Sequence, residues 1–216
     1  MHPYVILVAR PTPSGVDLPS VERLARTVGA RFALLDQGEP SIHTELDLAV
    51  AAEQVPLLVP LAVPRDRYLE TWMARSVSHW RESRKSDLDV RVTHNIAGHT
   101  NLVDAIRDVI DTGGRPVTAS ARAFQSPAWS EIPQHNAQVL VCRGPRCTAY
   151  GAGEVMRALS ETLAEDPVMV TPTGCLTPCN LGPLVVSHPG GRWHRNVTVD
   201  GVSAVAEYVR DCSNTA

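Results

Sequence analysis

The sequence predicts an α/β protein, with a mainly parallel-sheet unit first and a smaller α/β unit after a linker. Three observations carry this. Short apolar runs alternate with segments of helical periodicity up to residue 112, the rhythm of strand–helix–strand units. The alternation stops over 113–135, GGRPVTASARAFQSPAWSEIPQH, where three prolines and small polar residues take over. It restarts at AQVLVC, 137–142.

The elements follow in order. VILVA (5–9) is a short strand. VERLARTVGA (21–30) has helical spacing, with Ser20 the expected N-cap. RFALLD (31–36) is a strand and ELDLAVAAE (45–53) a helix. VPLLVPLAV (55–63) is continuously apolar, as a strand covered on both faces would be. A helix fills Arg67 to Glu82; VRVTHNI (90–96) is the next strand and NLVDAIRDVIDT (101–112) the next helix, stopped by Gly113-Gly114. In the second unit, AQVLVC leads to a helix over Gly153 to Leu163 and a strand at VMVTPT (168–173). PLVVSHPGGRWHRNVT (183–198) reads as a hairpin about Pro-Gly-Gly, and a last helix covers 201–210, capped by Thr198 or Asp200. The expected division is 1–112, a linker over 113–135, and 136–216. Phe124 and Trp129 in the linker are expected to dock it onto a unit; binding a partner is the sharper alternative.

At 216 residues and 44% hydrophobic, the chain can bury a core, and it does not have a disordered composition. Its net charge of −3 gives no basic excess, which argues against a dedicated nucleic-acid binder. The first residues lack the pattern of a signal peptide, and no apolar run reaches the roughly 18 residues of a membrane span. The expectation is a soluble cytoplasmic protein. No P-loop, G-x-S-x-G or H-E-x-x-H motif occurs, so no catalytic residue is assigned.

Cysteine usage is the most informative count. All five cysteines lie beyond residue 141: Cys142, Cys147, Cys175, Cys179 and Cys212. In a cytoplasmic chain such clustering favours metal or redox chemistry over disulfides. C-R-G-P-R-C (142–147) and C-L-T-P-C (175–179) each follow an apolar strand, where a loop can present sulfurs together. Four thiolates suit a [2Fe-2S] cluster, two per iron. They also suit structural zinc, and spacing alone leaves both open. Gly144, Gly174 and Gly182 would let backbone approach the site and aim N–H groups at sulfur. Cys212 lies outside both pairs and reads as a bystander.

The stretch VLVCRGPRCTAYGAGEVMRAL, followed by VTPTGCLTPCNLGPLVVSHPGGRWHRNVTVDGV, closely resembles the thioredoxin-like [2Fe-2S] ferredoxins over about 136–211. The resemblance implies a thioredoxin-like fold carrying one electron on a [2Fe-2S] cluster, with Cys142, Cys147, Cys175 and Cys179 on the ligand positions. The segment 136–216 holds six Arg and seven acidic residues, so it lacks the strongly acidic docking face of other small ferredoxins. Arg143 and Arg146 flank the thiols, with Arg192, His194 and Arg195 in the hairpin. They read as a solvated rim, or more sharply as a surface for an acidic partner.

Residues 4–112 resemble one half of the small cobalt/iron chelatases of sirohydrochlorin-type tetrapyrroles, through LLDQGEPSIHTELDLAVA, VPLLVPLAV and NIAGHTNLVDAI. That family pairs two halves, which implies a homodimer. The departures weigh more. Val8-Ala9-Arg10-Pro11 stands where the family has His-Gly-Ser, and Pro64-Arg65-Asp66-Arg67 where it has a second metal-binding His. The sharper reading sets Arg10, Arg65 and Arg67 against the carboxylates of a ligand, and surface Arg is the simpler one. His94 and His99 read as turn or capping residues, and Asp104 and Asp108 as solvated. The expected function is therefore a one-electron carrier to a redox enzyme, with the first unit for docking or dimerisation. The alternatives are a tetrapyrrole metal chelatase with a regulatory cluster, and a protein that uses the cluster as a redox or iron switch.

Overall fold

The computed structural model describes residues 4–11, 17–116, 118 and 131–213. Phe124 and Trp129 lie outside the described residues. The first sheet is four-stranded and parallel, in the order β2-β1-β3-β4. Its strands are β1 (Tyr4–Ala9), β2 (Arg31–Leu34), β3 (Pro56–Pro60) and β4 (Arg91–Val92). The connecting helices are α1 (Leu18–Thr27), α2 (Ile42–Ala51) and α3 (Arg67–Arg84); α4 (Thr100–Asp111) follows β4.

The expected elements are present, with revised ends. Asp17, not Ser20, caps α1; its carboxylate accepts the Ser20 amide, so the helix starts earlier. Ser41 caps α2 through the Thr44 amide, and Asp66 caps α3 by accepting from Tyr68 and Leu69. The strand expected over 90–96 shrinks to two exposed residues, because only Leu57 and Leu58 offer it partners. β3 alternates buried and half-buried residues rather than being covered equally on both faces. His99 caps α4, its Nδ1 accepting the Asn101 amide at 3.3 Å.

Core packing follows helical periodicity. Leu69, Met73, Val77 and Trp80 form one stripe of α3 and pack with Ile6, Val8, Leu46 and Leu58. Trp80 is 1% exposed, and its indole N–H donates to Asp47 at 2.8 Å. Glu45 is buried but not alone: Arg31 grips both its oxygens at 2.6 and 3.0 Å, and the Tyr4 hydroxyl donates to it. In α4 the apolar residues stay outside the buried core: Val103, Ile106, Val109 and Ile110 are all exposed.

The second sheet runs β6-β5-β7-β8, from β5 (Ala137–Cys142), β6 (Val168–Thr173), β7 (Val185–His188) and β8 (Arg192–His194). β5 pairs parallel with β6 and antiparallel with β7, and β7 turns into β8 at Pro189-Gly190-Gly191. Three helices complete this part: α5 (Pro145–Ala149), α6 (Ala152–Thr162) and α7 (Val202–Ser213). Val155 and Leu159 of α6 and Val205 and Val209 of α7 meet Val139 and Val141 of β5 in a second core. α7 starts after a short 3-10 turn, Val199–Gly201, for which neither Thr198 nor Asp200 provides the expected side-chain cap.

The two parts meet along α3 and α5. The Gln37 amide donates to the Arg143 carbonyl at 3.0 Å. His43 and His79 stack at 5.2 Å, and Tyr150 meets His79 edge-on at 4.9 Å. His43 Nε2 lies 3.0 Å from the Ser76 carbonyl, to which it donates. Burial holds the His43 imidazole below its ordinary pKa. The unfolded chain therefore takes up this proton at higher pH than the folded one, and stability falls as pH drops below the unfolded value of about 6.5. Gln can keep the bond to Ser76 without titrating. In urea melts at pH 7 and pH 5, wild type should lose more stability on acidification than His43→Gln; parallel losses would exclude this source.

Candidate metal centre

The four paired cysteines are brought together by the register of the second sheet. Cys142 ends β5 and pairs with Thr173 of β6, and the Arg143 amide donates to the Thr173 carbonyl at 3.0 Å. The loop holding Cys175 and Cys179 therefore leaves β6 beside the loop holding Cys142 and Cys147. Cys142 and Cys147 are buried among Ala152 and Leu184, with Leu176 and Leu181 against them. Cys175 is exposed and Cys179 half-buried, with their sulfurs 3.4 Å apart. The Cys147 thiol donates to Cys142, which Cys175 also reaches. The thiols thus meet as two pairs in mutual contact. Among the described residues, no group of three or more His, Cys, Asp or Glu is assembled around a point where a metal ion could sit.

Two glycines make this approach possible. A Cβ on Gly144 would lie 2.9 Å from the Cys175 Cβ, and one on Gly182 would lie 2.7 Å from the Cys147 sulfur. Gly174 has open space around it, so the expectation of close approach fails there. Backbone amides supply the electrostatics. The Leu176 amide donates to the Cys142 sulfur at 3.4 Å, and Gly144 also faces it. Leu184 faces Cys147 and Thr177 faces Cys175. The donated Cys147 thiol lowers Cys142 to about 6. The same bond, then burial, raises Cys147, while burial pushes Cys175 up to about 11.

The neighbouring cations divide. Arg143 was expected in a solvated rim, but it is 9% exposed. Its Nη1 points at the Met156 sulfur at 3.5 Å, and its Nε has no hydrogen-bond partner among the described residues. Burial lowers its pKa, opposed chiefly by the attraction of Glu39. Opposite it, Asp36 is 2% exposed with one unpartnered oxygen, and burial raises its pKa. Arg146 stays half-exposed and donates to Asn180. Arg192 stacks on Tyr208, and His194 Nε2 meets the Ser187 hydroxyl at 3.0 Å. Tyr208 also hydrogen-bonds Cys212, away from the four paired thiols.

Sequence reasoning missed what the first unit brings to this place. Arg10 and Arg65 face carboxylates of the chain itself: Arg10 lies against Asp36 and Asp66, and Arg65 forks onto Glu70. Arg10 also lies 4.3 Å from the centre of the Tyr68 ring. Burial, then the charge of Cys175, pushes Tyr68 up to about 12, and Cys179 acts in the same direction. Tyr68 is therefore within electrostatic reach of the second thiol pair. The only sequence signal for it was an aromatic two residues after an N-capping Asp.

These features define a class: an α/β protein with four thiols on two adjoining loops under backbone amides. The comparisons make it more specific. No family model matches the chain. It is 36% identical over 66 residues to a 2Fe-2S ferredoxin of Aquifex aeolicus, covering 28% of this chain and 60% of that protein. It is 33% identical over 87 residues to a 2Fe-2S ferredoxin of Clostridium pasteurianum, covering 35% of this chain and 83% of that one. The chain belongs to the [2Fe-2S] ferredoxin family. The crystal structure of the thioredoxin-like [2Fe-2S] ferredoxin from Aquifex aeolicus is 32% identical, at TM-score 0.31, covering 34% of this chain and 84% of that chain. A protein of Marinobacter aquaeolei assigned to cobalamin (vitamin B12) biosynthesis, CbiX, matches at 21% identity and TM-score 0.45, covering 52% of this chain and 95% of that one. At that identity and score the last likeness carries no activity across.

Among the described residues, no helix is long and apolar enough to cross a membrane. The glycine geometry gives a direct check on the site. Gly182→Ala should incorporate less than half the iron of the unaltered protein while keeping its far-ultraviolet circular dichroism. Unchanged iron content would show that the 2.7 Å approach is not a constraint.

Proposed function

We propose that the chain is a one-electron carrier in which Cys142, Cys147, Cys175 and Cys179 hold a [2Fe-2S] cluster. The observation that carries this reading is the meeting of four thiols as two pairs, because each iron of such a cluster takes two sulfurs. The family membership supports the same cofactor. When bound, the cluster accepts and releases one electron without making a bond to the partner.

The protein's own groups set the terms of that exchange. The Gly144 and Leu176 amides at Cys142, Leu184 at Cys147 and Thr177 at Cys175 favour the thiolates, and such N–H···S contacts raise a cluster's potential. Arg143 adds a buried positive charge on the side of the Cys142 loop, which favours the more negative, reduced state. Cys175, Thr177 and Pro178 leave one edge of the site open to solvent, where a partner's redox centre can approach. Leu176, Leu181 and Leu184 shield the other side.

The division into units at 1–112 and 136–216 is part of this reading, and two separate apolar cores support it. The first unit serves for docking or dimerisation. Self-association would cover the exposed stripe of α4. A cytoplasmic setting agrees with cysteines clustered for metal or redox chemistry. The redox partner is an enzyme that takes electrons singly.

Cys175→Ala, which leaves no oxygen or sulfur to bind iron, tests the ligand assignment. The variant should lose the visible absorption and most of its iron, whereas Cys212→Ala should keep both. An unchanged spectrum and iron content in Cys175→Ala would sink the assignment.

A further inference from the structure

A pocket between α3 and α5 has walls from both halves of the chain: Trp72, Arg75 and His79 on one side, Pro145, Arg146 and Ala149 on the other. The Arg75 guanidinium lies 4.9 Å from the centre of the Trp72 ring, and that of Arg146 lies 5.8 Å from the same point. Two cations are thus gathered at one indole. Arg10, Arg31, Arg65, Arg84 and Arg91 each meet a carboxylate of the chain. Among the described residues, Arg75 and Arg146 are in no ion pair. Two cations beside one indole favour an external anion there.

The place of this patch gives it meaning. Pro145 and Arg146 on its wall belong to the loop between Cys142 and Cys147, and Tyr68, one helical turn before Trp72, lies 6.0 Å from it. Arg146 donates to Asn180, which ties the cation to the exposed thiol loop. The patch therefore borders the open edge through which the carrier would exchange its electron.

We propose that this seam is the docking surface for an acidic redox protein, whose carboxylates pair with Arg75 and Arg146 while an apolar side chain seats on Trp72. The proposal rests on the carrier reading and adds the partner's chemistry to it. Arginine forks match carboxylates bidentately, and Trp with Arg makes the usual anchor of an interface. The chain's net charge of −3 opposes broad binding to a polyanion, so a local cationic patch suits the local acidic patch of a protein. On contact, the reduced cluster loses one electron and the partner's centre gains it; no bond or proton is exchanged.

The test uses the full-length, cluster-loaded protein, reduced and freed of reductant. Stopped-flow mixing with oxidised plastocyanin, an acidic copper protein, follows the reduction of Cu(II) to Cu(I); basic cytochrome c is the comparison. The plastocyanin rate should fall about tenfold between low salt and about 0.3 M salt as screening shortens the charge attraction. At low salt Arg75→Glu should slow it about tenfold with its visible spectrum and potential unchanged, and Trp72→Ala should slow it at every salt concentration. The cytochrome c rate should not drop in Arg75→Glu. If Arg75→Glu and Trp72→Ala match wild type with plastocyanin, the surface is wrong, while a reversible one-electron titration would leave the carrier reading standing. If wild type takes up no electron reversibly, the carrier reading fails and the surface fails with it.

Discussion

The structure depends on one steric constraint: two thiol loops must approach with no side chain between them. Gly144 against Cys175 and Gly182 against Cys147 meet it. The register of β5 with β6 sets the distance between the loops, since Cys142 and Thr173 end those strands side by side. Once the sulfurs are close, their charges must be balanced. Backbone amides do this locally, and they cost no side-chain ordering. The chemistry of the site is thus written largely in backbone geometry, with cysteine as the reactive exception.

The second theme is the burial of charge at the seam. Asp36 and Arg143 are both nearly inaccessible, come from different halves of the chain, and each retain an unpartnered polar atom. Such desolvation costs several kcal/mol per ion before attraction offsets it. Attraction to Arg10 for Asp36 and to Glu39 for Arg143 offsets part of that cost. Asp36 follows β2 and Arg10 follows β1, at the ends of strands where open α/β sheets place their sites. Here that edge faces Arg143, the residue next to Cys142. The first sheet thereby acquires a part in the electrostatics of the second.

Sequence legibility followed the range of the interactions. β5 and β6 were readable to the residue, because alternating apolar runs report a sheet directly. The four thiols were readable from spacing and their flanking motif. Asp17 was missed as a cap because Ser20 offered an equally good local signal. β4 was overcalled because apolar alternation cannot reveal how few pairing partners a strand will have. Arg143 read as a rim residue because nothing local says that Asp36 and Glu39, over a hundred positions earlier, will cover it. The aromatic face of α3 was hidden for the same reason: the stripe through Leu69, Met73, Val77 and Trp80 already accounts for the helix, leaving Tyr68 and Trp72 without an evident use.

The central claim is that the paired thiols hold two irons and exchange one electron. Anaerobic purification followed by iron and zinc analysis, with visible and EPR spectra before and after dithionite, addresses it most directly. About two irons per chain, a brown protein and an S = ½ signal appearing on reduction are the predicted result. A single zinc per chain, with no colour and no signal on reduction, would contradict the account.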